Sequence, residues 1–221
     1  MDWSFLVEDM VPVLNQGLLV SLALILPSSV CGLLVGIGIG SCRAFGSPWV
    51  SRLARWYAIV FRGTPLVVQL FVLYFGLPNL GIYLEPYAAA VLGFTLCSGA
   101  YHSEYIRGGL LSIKRGQILA ATSMGFSTWK TMICIVIPQA LRRALPGCGN
   151  ELIYLIKYSS LAYIITCIEL TGEGKVLASR TFRFTEVFMV VGAYYLVLVS
   201  MATVGLHKLE KRLAVPGFGL R

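Results

Sequence analysis

Charge is what this sequence has little of. Asp, Glu, Lys and Arg together make up only 13% of its 221 residues, about half the share of an ordinary soluble domain, and that scarcity argues against one. No GxxxxGK[ST] stretch occurs, so ATP binding in the P-loop manner is excluded for this chain. The six cysteines (Cys31, Cys42, Cys97, Cys134, Cys148 and Cys167) form no CxxC pair and no metal-ligand spacing. They read as buried thiols. Histidine is limited to His102 and His207. The offset between His102 and Glu104 points the two side chains apart on a helix, which speaks against an acid–base or metal site there. The opening MDWSFLVEDMVPVL is acidic and lacks the basic flank of a secretory signal, so an uncleaved first helix with an outside N-terminus is expected.

Apolar residues dominate instead, at 57% of the chain with a mean hydropathy of +0.78. The class this implies is an all-α integral membrane protein. A formal charge of +8 does not require a nucleic-acid partner, because the basic residues fall between long apolar runs, as the positive-inside rule places them. About 20 apolar residues cross a bilayer, and five stretches qualify: Gly17 to Ser41, Trp56 to Leu77, Tyr87 to Tyr105, Gly149 to Ile168 and Val187 to Leu206. Arg43, Arg52 and Arg55 follow the first. Arg107, Lys114, Arg115, Lys130, Arg142 and Arg143 follow the third, and Lys208, Lys211, Arg212 and Arg221 follow the fifth. Those connections are expected on the cytoplasmic side, with the C-terminus there too.

Several local features carry information. Gly32, Gly36 and Gly40 line one helix face and permit close approach of another helix, either within this chain or across a dimer interface. Ser47 and Pro48 are placed to start a short interfacial helix that leads into the second span. Arg62 lies inside an otherwise apolar stretch, either snorkelling or bonding carbonyls freed by Pro65, or acting as a gate. Gln69, seven residues on, would share its helix face and line a cavity. Ser98, Tyr101 and Tyr105 form a stripe suited to a cavity or a helix contact. Lys157 interrupts an apolar run, and Asn150 with Ser160 or Leu161 falls near its face. It is placed to meet a substrate carboxylate, or to pair with Glu104 or Glu151.

Between the third and fourth spans runs Gly116 to Pro138, GQILAATSMGFSTWKTMICIVIP. Ala120 and Ala121 favour helix and leave no bulk above the backbone. Gly125 allows a sharp turn, Ser127 or Thr128 can cap a second helix, and Pro138 argues against an uninterrupted continuation. Two short helices that form a docking surface are the expectation.

The spacing Ala120-Ala121, three residues, Gly125, nine residues, Ile135-Val136-Ile137-Pro138 resembles the EAA loop of the membrane subunits of bacterial ABC importers. Glu104, Arg107, Gly108, Gly109, Ser112, Ile113, Gly116 and Gln117 match the family pattern before that loop, and Pro138 to Leu141, Arg142, Ala144 to Pro146 and Asn150 match after it. RGTPLVVQLFVLYFGLP resembles the polar amino-acid branch, the histidine and glutamine permease type. The resemblance extends from about Gly17 to Phe218. It departs at Leu119, where the family has Glu; at Tyr158, where the family often has Asp; and at Ile168, which stands for a proline.

This resemblance implies a type I ABC importer transmembrane domain, a single multi-pass permease domain with about five spanning helices in the bacterial inner membrane. It implies transport of a polar amino acid, and no catalytic or metal-binding residue on this chain. ATP and Mg would be bound by separate ATPase subunits, which dock on Gln117, Leu119, Ala120, Ala121, Met124, Gly125 and Phe126. A second permease subunit, identical or homologous, and an extracytoplasmic amino-acid-binding protein complete the implied assembly. Lys157, Ser159, Ser160, Gln69, Tyr101 and Ser98 would line the substrate pathway, with Arg62 and Glu104 as gate or structural charges. Leu119 in place of Glu favours an unequal pair whose partner keeps the acidic residue. An ion-coupled secondary transporter using Lys157 and Glu104 is the alternative, although paired inverted repeats are not evident.

Overall fold

The computed structural model describes residues 3–213; Arg221 and the end of the family resemblance lie outside them. A π-helical turn, Phe5–Met10, leads into α1 (Val11–Phe45). Together they form a 41-residue apolar helix. There follow α2 (Pro48–Gly63), α3 (Leu66–Phe71), a π-helical turn (Val72–Gly76) and a 3-10 turn (Leu77–Leu80). Next come α4 (Pro86–Leu111), α5 (Arg115–Ser123), α6 (Thr128–Thr131), a third π-helical turn (Met132–Val136) and α7 (Ile137–Tyr158). A 3-10 segment (Ser159–Ile165), α8 (Leu170–Thr181) and α9 (Phe184–Leu213) complete the order. No strand occurs among the described residues.

α4 is the axis of the bundle. α1, α2 and α7 pack around it, and much of its length, from Ala89 to Leu110, is buried. Close packing of α1 on α4 depends on the glycine face: a Cβ at Gly36 would lie 2.2 Å from His102 Cβ, and one at Gly40 would lie 2.9 Å from Ser103 O. The glycine stripe is thus an internal contact of this chain. Because α4 meets protein on most sides, it can carry Ser98, His102 and Ser103 inward. The helices long and apolar enough to cross a membrane by themselves are Phe5–Phe45 and Phe184–Leu213, rising to four spans if each of two bent pairs counts as one. α4 is long enough, but its buried polar residues dilute it.

Four expectations change. The stretch read as one span from Trp56 to Leu77 is two helical arms meeting at 104°. Thr64 is extended and Pro65 supplies no N–H, so α2 stops at Gly63 and the chain restarts at Leu66. Ser47 does hold the N-cap position of α2 with Pro48 behind it, but its side chain makes no capping bond. Pro138 does not end a helix either: the π-helical turn before it, with the Ile137 N–H returning to Met132 O, lets the helical run Thr128–Ile165 pass through. The second helix of the docking loop is therefore the start of a long rod. Finally, among the cysteines only Cys97 and Cys167 are buried; Cys31 and Cys134 are exposed on this single chain.

Glu169 holds the turn between the 3-10 segment and α8. Its carboxylate accepts from the N–H groups of Thr171 (2.9 Å) and Gly172 (3.0 Å), from the Tyr195 hydroxyl (3.0 Å) and from Ser21 Oγ (3.3 Å). A fully buried carboxylate thus caps α8 and ties α1, α8 and α9 together. From Gly174 the chain is helical as far as Thr181, and Phe182 (φ 57°) turns it into α9.

Candidate functional site

α5 ends in a closed turn. The Phe126 N–H donates to Ala121 O and the Gly125 N–H to Thr122 O, each at 3.0 Å, with Gly125 at φ +82°. This is a Schellman closure, whose left-handed position glycine occupies without a Cβ clash. Ser127 then caps α6 by accepting from the Lys130 N–H at 3.3 Å. Ala121 is buried beneath the loop while Leu119 (59% exposed) and Met124 (77%) stand out from it. Ala120 is exposed beside them, Gln117 and Phe126 are half-buried, and Lys130 lies 4.9 Å above the Phe126 ring. The outward face presents the apolar side chains of Leu119 and Met124 among polar and basic neighbours, is uncharged at Leu119, and is fixed in shape by backbone bonds.

Three arginines meet one carboxylate. Arg43 from α1 and Arg62 from α2 each reach Glu104 Oε2 at 2.8 Å, and Arg107 reaches Oε1 at 2.6 Å. Arg43 also donates to Ser103 Oγ at 3.1 Å, and the Arg62 guanidinium lies 5.5 Å from the Tyr101 ring centre. Glu104 thus joins three helices. Lys157 is not its partner: Lys157 is exposed and its ammonium sits 4.6 Å over the Tyr154 ring.

Gln69 is buried, and its side-chain amide donates to Phe61 O (2.9 Å), Thr64 O (3.0 Å) and Thr64 Oγ1 (3.0 Å). It holds the sharp corner after α2. The helix-face argument that paired it with Arg62 fails, because the two residues stand on different helices. Ser98 is likewise buried, with its Oγ 3.1 Å from His102 Nδ1, while Tyr101 is half-buried. On α7, Asn150, Tyr154 and Lys157 are all exposed at helical spacing. Past Tyr158 the helix tightens to 3-10, so that face does not continue: Ser159 is fully buried and donates to Ile156 O (2.8 Å), and Ser160 donates to Lys157 O (2.7 Å).

A family model described as binding-protein-dependent transport system inner membrane component matches residues 3–215. The chain belongs to that family. This permease is 35% identical over 216 residues to the glutamine transport system permease protein GlnP of Escherichia coli K12, covering 97% of this chain and 98% of the relative. It is 39% identical over 213 residues to the nopaline transport system permease protein NocM of Agrobacterium fabrum, covering 92% and 88%. Among solved structures, the crystal structure of an amino acid ABC transporter with histidines has a TM-score of 0.89 at 32% identity, over 96% of this chain and 99% of that one. An inward-facing MetNI methionine ABC transporter shares the fold with a TM-score of 0.79 at 20% identity, over 94% and 99%. The fold of the permease is therefore that of type I ABC importer membrane subunits.

Two residues of the permease escaped the sequence reading of sites. Trp129, 78% exposed on α6, adds a large apolar side chain to the surface around the α5–α6 turn, and its place beside Ser127 was a signal that could have been used. Glu151 is buried on α7 with Oε1 unpartnered. Its acidic side chain in an apolar stretch marked it, but only as a partner for Lys157. Tyr158 stands where the family often has Asp and stacks on Tyr154 with ring centres 6.0 Å apart.

Proposed function

We propose that this chain is the membrane-spanning permease subunit of an ATP-driven importer of a polar amino acid. In this reading it lies multi-pass in the cytoplasmic membrane and works with a second permease subunit, two ATPase subunits that bind ATP and Mg, and an extracytoplasmic binding protein. The observation that carries the reading is the α5–α6 turn: an exposed, rigidly closed surface at the position where the family resemblance puts ATPase docking. Leu119, Met124 and Trp129 offer area that a partner would bury. The exposed row Asn150, Tyr154 and Lys157 on α7 is the face left for the second subunit and for the substrate between them. ATP acts by favouring one of two conformations of the assembly, since a ligand shifts an equilibrium only through its different affinity for the two states.

The test is ATP hydrolysis by the purified complex in lipid with its binding protein, across a panel of amino acids. Stimulation by one or a few polar amino acids is expected. Hydrolysis indifferent to every amino acid and to the binding protein would overturn the reading, as would uptake driven by a proton gradient without ATP.

A further inference from the structure

A concave site is lined by residues that belong to neither the α5–α6 turn nor the exposed row of α7. Arg43 at the end of α1, Ser51 and Arg55 on α2, and Arg107 near the end of α4 line a cavity of about 180 Å³, room for more than one water molecule. Its side chains are donors. Arg43, Arg62 and Arg107 share the single carboxylate of Glu104, which leaves the group positively charged. Arg55 adds another cation and has no carboxylate partner among the described residues. Arg43 is held in place, with its side chain only 10% exposed.

Such a set of forked donors fits a phosphate oxyanion. α2 tells which kind. Trp49, Leu53, Trp56 and Val60 form an exposed apolar stripe along it, while Ala54 and Ala58 face the bundle and the Tyr57 hydroxyl donates to Leu96 O at 2.7 Å. Arg52 stacks over Trp49 at 4.9 Å. A helix with an open tryptophan and leucine face and a row of arginines lies along the boundary between headgroups and acyl chains.

We propose that Arg43, Ser51, Arg55 and Arg107 bind the phosphate of an anionic phospholipid headgroup, whose acyl chains lie against the apolar stripe of α2. This site does not depend on the importer reading, because it uses neither the docking turn nor the α7 face. Its charge makes phosphatidylglycerol a better ligand than zwitterionic phosphatidylcholine.

Native mass spectrometry of the full chain in detergent, titrated with phosphatidylglycerol, phosphatidylcholine or inorganic phosphate, tests this. Phosphatidylglycerol is expected to be retained at roughly 25-fold lower concentration than phosphatidylcholine, as two cations near a headgroup would give. Arg55→Gln lies outside the Glu104 pairs and leaves the fold intact; it is expected to weaken retention about fivefold. Arg142→Gln, at an exposed arginine that does not line the cavity, is expected to leave retention unchanged. Equal retention of the two lipids, or no effect of Arg55→Gln, overturns the proposal. Binding of inorganic phosphate as tight as that of the lipid makes this a free-anion site and overturns the lipid assignment. So does loss of bound lipid when the ATPase is added, which would give the cavity to a protein contact.

Discussion

Arg62 and Glu104 stand 2.8 Å apart, fastening the end of α2 to α4 just before the chain turns through 104°. Glu104 serves two other arginines, whereas Arg62 has this one carboxylate, and the pair is therefore lopsided. Glu104→Gln is expected to lower stability by about 2–3 kcal/mol, because it leaves three partly buried guanidiniums facing one another. Arg62→Gln is expected to lose less than about 1 kcal/mol, its side chain being 38% exposed. Chemical denaturation midpoints in detergent measure both, and equal losses would mean that Glu104 is not the hub.

Helix α1 offers a matched pair of glycines. Gly36→Ala would place a Cβ 2.2 Å from His102 Cβ and 3.1 Å from backbone atoms of α4, whereas Gly38→Ala meets nothing within 4 Å. The first is expected to destabilise by about 1–3 kcal/mol through forced separation of α1 and α4. The second should be neutral or slightly stabilising, since alanine suits a helix better than glycine. A shift of the same size and sign for both would show that the two helices are not in close contact at Gly36.

In the docking turn, Gly125→Ala forces a Cβ into a left-handed backbone at φ +82°, a strain of about 1–2 kcal/mol. The core lies elsewhere, so the thermal midpoint of the chain should move little while binding of the ATPase weakens. Gly116→Ala, with open space around it, is the control. Isothermal titration of ATPase against the two variants separates them, and equal binding would remove the turn from the interface.

Lys157→Ala should leave folding unchanged, because Lys157 is exposed and its contact is the Tyr154 ring. Uptake in proteoliposomes is expected to fall more than tenfold while the ATPase still co-purifies, a loss of more than about 1.4 kcal/mol of substrate interaction. Unchanged uptake removes Lys157 from the pathway.

Composition and length made the long apolar helices legible, and the shape of the α5–α6 turn could be read because alanine, glycine and a capping serine each have a local conformational reason. The corner at Thr64 was missed although Pro65 was in view, since apolar residues continue on both sides and hydropathy does not register a change of direction. Treating that stretch as one helix then put Gln69 in a cavity; its buried amide instead holds the corner. At Pro138 the error ran the other way. Proline ordinarily ends a helix, but a wider turn placed before it removes the clash. The charge hub was present in the sequence as four separate residues. Arg43 and Glu104 are brought together by the packing of α1 on α4, and no periodicity within either segment encodes that meeting.

The π-helical turn at Met132–Val136 has a mechanical meaning. Because it carries the helix past Pro138 without a break, Thr128 and Tyr158 belong to one continuous helical run, which also holds Pro146, roughly 45 Å long at 1.5 Å per residue. Trp129 rides near one tip and Lys157 near the other. Were that run to move as a rigid body, a tilt of a few degrees at the tryptophan end would sweep the lysine end sideways by a few ångström. A flexible joint at Pro138 would have absorbed the same tilt as bending.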